Sequence, residues 1–183
     1  MTPIKIFLCD PTHDTTVLVS DTIPINIGFI ASYAKKVHGD ATDISLFKYP
    51  RTVLEAIKND PPDILGLSNY SWNSNLAERI ARFAKQTNPK VITVQGGTNF
   101  AHDIQEQTVF LMDRPHTDLH VELEGELAFS NLITRVLQTR DGVEQLLSQP
   151  IDGCVYIHPE SKGDDQPLAI SGASPERLRD LDQ

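Results

Sequence analysis

The chain has too few cysteines and too little positive charge for several kinds of protein. Only Cys9 and Cys154 occur among 183 residues, which is too few for a disulfide framework or for zinc and iron–sulfur ligand sets. Lys and Arg number 16 against 25 Asp and Glu, so at a net charge of −9 a general attraction to nucleic acid is not expected. The composition favours a small-molecule or protein partner.

Long apolar runs are also missing. No run approaches the roughly 20 residues that cross a bilayer, and the stretch from Met1 to Phe7 lacks the apolar region of a signal peptide. A membrane partner is therefore not expected, and the two thiols predict a reducing, cytoplasmic compartment. The length suits one domain with a single buried core.

No glycine precedes Gly28, and this absence limits what the loop after the first strand can bind. A dinucleotide fingerprint or a Walker loop needs glycines there, because the backbone has to approach phosphate closely. A flavodoxin-type flavin site also needs a loop rich in glycine and hydroxyl groups, which threonines alone do not supply. A response-regulator receiver is excluded because Ser68 stands where an acidic phosphoacceptor would end the third strand.

What the chain does contain is a repeated alternation of strand and helix patterns. Apolar runs predict strands over residues 4–9, 43–47, 63–67, 91–94 and 118–121. Helical periodicity predicts helices over residues 25–37, 52–59, 75–86, 103–112 and 126–137. Right-handed crossovers would carry each helix over a parallel sheet. We therefore predict an α/β fold, a flavodoxin-like (Rossmann-like) doubly wound parallel sheet of five strands in the order 2-1-3-4-5.

The alternation ends near Gln149. Beyond it, residues 153–157 and 167–170 flank a polar turn and predict a small β-hairpin. We expect this part to pack lightly, because its apolar residues are few. The sequence thus divides into an α/β domain over residues 1–149 and a peripheral hairpin and tail over residues 150–183.

Four short motifs lie at the ends of successive strand–helix units, where ligands of such sheets bind. They are the residues 24–28 (PINIG), 62–68 (PDILGLS), 96–97 (GG) and 123–126 (LEGE) with Phe129. In this order they resemble the cobalamin-binding domain that precedes the catalytic barrel in B12-dependent radical SAM proteins. The resemblance covers about residues 4 to 140, and the segment from Leu178 to Asp182 is similar to the linker toward the radical SAM domain.

The resemblance implies that cobalamin, a corrinoid, binds on the strand-end loops. The expected cofactor-binding residues are Thr12, His13, Ser68, Asn69, Tyr70, Gly96, Gly97, Thr98, Glu124 and Gly125. Paired glycines leave room for a bulky ligand, Ser68 offers a hydroxyl to the nucleotide tail, and Gly97→Leu is expected to remove binding. The same residues also fit plainer roles, as a tight turn, a helix cap, edge packing and acidic residues favoured by a helix dipole.

The chain departs from the family at residues that decide its chemistry. Asp10 and His13 are one residue too far apart for the Asp-x-His-x-x-Gly motif whose histidine ligates cobalt, and Thr16 replaces its glycine. A cobalt without a protein nitrogen ligand is therefore expected, and no residue is predicted to ligate a metal. Leu123 stands where the family usually has glycine, and Asn99 where it often has histidine.

No Cys-x-x-x-Cys-x-x-Cys motif occurs, so S-adenosylmethionine and a [4Fe–4S] cluster would belong to a catalytic domain in cis that this chain lacks. We interpret the chain as the cobalamin-binding module of a methyltransferase-type or related radical enzyme, without catalytic residues of its own. The alternative is a degenerate domain that binds no corrinoid and acts as a substrate lid or interaction surface. A stand-alone enzyme would have only scattered candidates, such as His13, Asp14, His116 and His120.

Overall fold

Seven strands and six helices position the site in this computed structural model, which describes residues 2–13, 22–139, 143–161, 163–165, 167–176 and 178. The strands are β1 (Ile4–Cys9), β2 (Thr42–Phe47), β3 (Ile64–Ser68), β4 (Ile92–Gly96), β5 (Leu119–Val121), β6 (Cys154–Ile157) and β7 (Ala169–Ser171). The helices are α1 (Ile25–His38), α2 (Pro50–Asn59), α3 (Ser74–Thr87), α4 (Ile104–Met112), α5 (Gly125–Thr139) and α6 (Val143–Leu146).

The strands form one sheet in the order β2-β1-β3-β4-β5-β6-β7. All pairs from β2 to β5 are parallel, which confirms the predicted doubly wound fold and its 2-1-3-4-5 order. Ser68 at the end of β3 pairs in register with Gly96 at the end of β4. Two of the sequence motifs therefore meet at the carboxyl edge of the sheet.

Local signals in the sequence account for where several helices begin and end. The last turn of α1 carries three basic residues, and the helix ends at Gly39, whose φ of 54° lies in the left-handed region. α4 begins after Asp103, whose carboxylate accepts hydrogen bonds from the backbone N–H groups of Gln105 and Glu106. Among the α-helices of the described residues, only the short α6 has no counterpart in the prediction.

The two faces of the sheet carry separate apolar clusters, because successive strand residues point to opposite sides. On one face, Leu8 and Val94 pack with Phe129 of α5 and Ile27 of α1. On the other face, β-strand side chains such as Leu65 pack against α2 and α3. No helix of the described residues has the length and apolar character needed to span a membrane.

The C-terminal hairpin differs from the prediction in how it packs. Its pairing is confirmed, since β6 and β7 run antiparallel. β6 also pairs with β5, however, and Cys154, Val155 and Tyr156 are fully buried. The expectation of light packing is therefore wrong for β6, because a strand between two others is covered on both edges and here on both faces. The domain boundary near residue 149 stays a prediction.

Candidate ligand-binding site

A cavity of about 390 Å³ opens at the carboxyl edge of the sheet, between the strand ends and helices α1 and α5. We call it the edge cavity. Its apolar side chains include Leu8, Ile27, Ile30, Val94, Val121 and Phe129, and its polar side chains include Asn26, Ser68, Tyr70, Glu124 and Glu126. Most of the apolar members are buried, whereas Glu124 is exposed. The edge cavity is thus apolar in its depth and polar toward solvent.

Glycine at position 66 allows the cavity walls to approach each other. A Cβ atom there would lie 2.6 Å from Leu8 Cδ2 and 3.5 Å from a ring carbon of Phe129. The residue sits between Leu8 and Val94 in the sheet ladder, so this part of the floor is bare backbone. A side chain at this position would displace the packing of the floor.

The paired glycines have two different roles. Gly97 has a φ of 134°, and a Cβ atom on it would lie 2.6 Å from the backbone oxygen of Asn69. A Cβ on Gly96 would meet only Val121 at 3.6 Å, an ordinary van der Waals contact. Gly97→Leu would therefore damage the turn itself, and Gly96 is the position from which a side chain would enter the edge cavity.

Ser68 lies in a network of buried polar side chains at the end of β3. Its hydroxyl donates to Asp10 Oδ1, and Asn73 Nδ2 donates to the Ser68 oxygen at 2.9 Å. Asn73 Oδ1 in turn accepts from the backbone N–H of Tyr70 at 2.8 Å. Ser68 is therefore not a helix cap, and it holds the Asp10 carboxylate beside the edge cavity.

Asn69 fastens the β3 loop to the glycine turn. Its backbone N–H donates to Gly96 O at 2.7 Å, and its side-chain Nδ2 donates to Asn99 O at 2.8 Å. The same amide nitrogen lies 3.4 Å from Nε2 of His120, which is fully buried and stacked on Phe100. Burial, with a smaller contribution from the charge of Arg114, lowers the pKa of His120 to about 3, so this ring is neutral at pH 7.

An aromatic pair lies beside the edge cavity. The rings of Tyr70 and Trp72 stack with centroids 4.6 Å apart and planes 9° from parallel. Asn26 of α1 donates its side-chain amide to the Tyr70 hydroxyl at 3.1 Å, while Trp72 is 64% exposed. Tyr70 thus joins α1 to the β3 loop and presents a flat, amphipathic surface near the opening.

The first loop places His13 away from the edge cavity. His13 is exposed, its Nε2 lies 2.9 Å from the backbone oxygen of Trp72, and it lines a separate hollow with Pro50. Thr12 donates its backbone N–H to Lys48 O at 3.1 Å. Among the described residues, neither they nor the exposed Thr98 line the edge cavity. Asp14, Thr16 and Arg179 to Asp182 lie outside the described residues.

The other predicted residues do come together. Ser68, Tyr70, Gly96, Gly97, Glu124 and Gly125 all line the edge cavity, and Asn69 lies directly beneath the glycine turn. Sequence reasoning did not assign roles to Asn73 or Gln95, or a positioning role to His120. A usable signal was present for two of them, because Gln95 and His120 are large polar residues within strands made mostly of apolar and β-branched residues.

Leu123 adopts a φ of 54°, and it is the one described residue other than glycine with a positive φ. Its side chain lines the edge cavity and is 62% exposed. A left-handed conformation costs a branched residue about 1–2 kcal/mol but glycine almost nothing. This geometry favours glycine, the residue that the resemblance leads us to expect here.

We expect Leu123→Gly to raise the free energy of unfolding by somewhat less than about 1 kcal/mol. Relief of the left-handed strain is offset in part by the greater freedom of glycine in the unfolded chain, worth about 0.4–1 kcal/mol. Urea unfolding would measure the change. Leu123→Val is the matched variant and should be less stable than the parent, because a β-branched residue tolerates this φ worse. If the Leu123→Gly protein is less stable than the parent, the backbone of Leu123 is not strained in the parent.

The described residues offer no group of three His, Cys, Asp or Glu side chains that could hold a metal ion. Both cysteines are buried and unpaired. Burial raises the pKa of each thiol to about 12, so they remain protonated at pH 7.

The parallel sheet, the apolar edge cavity and the glycine turn define an α/β domain with a cavity at its switch point, where ligands of such sheets bind. Residues 13–133 match the B12 binding domain family, which is more than half of the chain. The chain therefore belongs to the B12-binding domain family. It resembles the domains found in cobalamin-dependent radical SAM methyltransferases.

Two of the relatives that match over most of this chain are enzymes with named substrates. It is 27% identical over 147 residues to 2-(S-pantetheinyl)-carbapenam-3-carboxylate methyltransferase of Streptantibioticus cattleyicolor, covering 71% of this chain and 21% of the relative. It is 31% identical over 146 residues to the anaerobic magnesium-protoporphyrin IX monomethyl ester cyclase of Rubrivivax gelatinosus, covering 76% and 25%.

A shorter match is the cobalamin-dependent radical SAM methyltransferase TokK of Streptomyces tokunonensis, 35% identical over 72 residues, which covers 39% of this chain and 10% of the relative. The chain thus spans a quarter or less of the length of these three proteins. The cobalamin-dependent S-adenosylmethionine radical enzyme OxsB, solved with aqua-cobalamin bound, has the same fold. The TM-score is 0.69 at 16% identity, covering 96% of this chain and 23% of OxsB.

Proposed function

We propose that this chain binds cobalamin and places its nucleotide tail in the edge cavity. The observation that carries the proposal is the cavity itself, which is apolar in its depth, floored by the bare backbone of Gly66 and located at the carboxyl edge of the sheet. Such a cavity suits a flat apolar group on a flexible arm. When bound, cobalamin supplies the group-transfer chemistry of its cobalt.

The residues of the chain would then bind and orient the ligand. The apolar walls exclude water from the tail, while the Ser68–Asp10–Asn73 network and Asn69 hold the two strand-end loops in place. Tyr70 and Trp72 offer a stacked aromatic surface beside the opening. His13 is held against the Trp72 carbonyl, which supports a cobalt without a histidine ligand from this loop.

The whole protein is proposed to be a radical SAM enzyme of the methyltransferase or a related type. The chain would deliver cobalamin to a catalytic domain in cis that holds S-adenosylmethionine and a [4Fe–4S] cluster. The names of the relatives and the small share of their length that the chain covers support this proposal. The two buried, unpaired thiols support a cytoplasmic location, and the net charge of −9 supports the absence of nucleic-acid or membrane partners.

The first test is binding of hydroxocobalamin to the purified chain by equilibrium dialysis, with the visible spectrum recorded for the bound fraction. We expect binding, and we expect His13→Ala to leave the spectrum unchanged, since His13 does not line the edge cavity. The exposed His102, replaced by alanine, is the matched control. A His13→Ala spectrum that differs from the parent and from His102→Ala would contradict the absence of a histidine ligand.

The alternative function, a domain that binds no corrinoid and acts as a lid or interaction surface, is favoured by one observation. Leu123 puts a branched, exposed side chain beside the edge cavity where similar domains have glycine. A folded, monodisperse chain that fails to bind hydroxocobalamin would support this alternative and would contradict the cobalamin proposal.

A further inference from the structure

The side chains that line the depth of the edge cavity bear on which corrinoid it accepts. Resting on the function proposed above, we propose that the edge cavity selects corrinoids by the base of their nucleotide tail. It accepts an apolar base such as 5,6-dimethylbenzimidazole and discriminates against a purine such as adenine.

Gln95 follows Val94 on β4, so its side chain points to the opposite face of the sheet, where its Nε2 donates to Thr117 Oγ1 at 2.8 Å. Gln95 therefore lines the cavity with its backbone, and the side chains of the deep walls described here are apolar. Leu8, Val94, Val121 and Phe129 are each at most 5% exposed, and all four are hydrocarbon side chains. The backbone between them belongs to the sheet, because Gly66 pairs with Leu8 on one side and with Val94 on the other. The N–H and C=O groups of this floor are therefore directed along the sheet ladder and away from a ligand.

Apart from Gln95, the polar side chains of the lining are engaged elsewhere or face water. Ser68 is bonded to Asp10 and Asn73, and the Tyr70 hydroxyl accepts from Asn26. Glu124 and Glu126 stand at the start of α5, where the first is exposed and the second half-buried. A tail base in the depth of the cavity would therefore lie beyond hydrogen-bonding reach of these groups.

The two kinds of tail base differ in what they would lose on entering such a space. Adenine carries an exocyclic amine and additional ring nitrogens, which would give up hydrogen bonds to water without receiving new ones. Dimethylbenzimidazole presents two methyl groups and a benzo ring, which gain from the transfer to an apolar wall. A pocket that leaves polar groups of the wrong ligand unpaired discriminates strongly between ligands of similar size.

The experiment compares three corrinoids with the same upper ligand on the purified chain, by equilibrium dialysis read through corrin absorbance. They are cobalamin, its adenine-tailed analogue and cobinamide, which has no nucleotide tail. We expect cobalamin to bind tightest, and each of the other two at least tenfold more weakly, about 1.4 kcal/mol.

The outcomes separate this inference from the proposed function. If cobalamin and the adenine-tailed analogue bind equally, the selectivity is overturned while corrinoid binding stands. If cobinamide binds as tightly as cobalamin, the tail does not enter the edge cavity, and the selectivity is overturned in that case too. If none of the three binds to the folded chain, both proposals fail.

A conservative variant tests the apolar wall directly. Val121→Thr keeps the shape of a buried side chain and adds a hydroxyl to the cavity lining, so it should narrow the ratio between cobalamin and the adenine-tailed analogue severalfold. Val109→Thr is the matched control on α4, because Val109 is 59% exposed. In this variant the ratio of the two corrinoid affinities should equal that of the parent. A thermal melt checks that both variants fold. A folded Val121→Thr protein with an unchanged ratio would contradict selection by this wall.

Discussion

Gly96→Leu is expected to weaken cobalamin binding about a hundredfold, roughly 2.7 kcal/mol, while the protein stays folded. A Cβ atom at this position meets only Val121, at 3.6 Å, so the backbone accepts a side chain. The rest of the leucine would occupy the edge cavity that the tail needs, since Gly96 is part of its lining. The expected loss falls in the range seen when an additional side chain overfills a packed site. Equilibrium dialysis with hydroxocobalamin measures it.

Two other glycines serve as controls for Gly96→Leu. A Cβ atom on Gly28 would have no heavy atom within 4 Å, and Gly28 does not line the edge cavity, so Gly28→Leu should bind cobalamin like the parent. Gly97→Leu should lower the free energy of unfolding by about 3 kcal/mol, because its φ of 134° and the Asn69 oxygen at 2.6 Å both oppose a side chain. Unimpaired binding by a folded Gly96→Leu protein would show that the tail lies elsewhere.

The free energy of unfolding is expected to fall by about 2.5 kcal/mol between pH 7 and pH 4.5 because of His120. Burial, and to a lesser extent the charge of Arg114, lowers the pKa of this imidazole from 6.5 to about 3. Below pH 6.5 the unfolded chain binds a proton at His120, whereas the folded chain does not. The contribution of His120 to stability is therefore fully present above pH 6.5 and is lost as the pH falls toward 3. The slope approaches about 1.4 kcal/mol per pH unit in this window.

Urea unfolding at several pH values between 7 and 4.5 checks this pH dependence. His120→Gln removes the titrating group and keeps a partner for Asn69, so its unfolding free energy should fall less steeply with acid than that of the parent. The exposed His102, replaced by glutamine, controls for the loss of a histidine as such. Burial also lowers the pKa of His38, so a smaller dependence of the unfolding free energy on pH remains in every variant. Equal slopes in the parent and His120→Gln would contradict the neutral, buried ring.

The element order and the parallel sheet could be predicted because they depend on local patterns. Each of the five apolar runs and five helical periodicities can be recognised within a short stretch of sequence. The right-handedness of the crossover connections then allows few strand orders. The same logic placed Ser68 and Gly96 at one edge, since parallel strands end together. For β6 it failed, because four apolar residues do not reveal whether a strand lies at the periphery or beside β5.

The lining of the edge cavity was predicted in part from the sequence, and the role of these residues in binding stays a prediction. Position along the chain brought Ser68, Tyr70 and Gly125 to the edge cavity, but it could not give the direction in which His13 points. The separate roles of Gly96 and Gly97 depend on a φ angle and on the distance to Asn69 O, neither of which composition encodes.

Local periodicity, charge balance and the order of four short motifs were enough to specify a doubly wound α/β domain of the B12-binding family. Contacts between distant parts of the chain decided the rest, including the burial of His120 against Phe100, the Ser68–Asp10 bond and the left-handed Leu123. Each of these features depends on packing against many neighbouring residues. The free energy of that packing exceeds the conformational preference of any single residue, and it is gained only when the sheet and helices pack together.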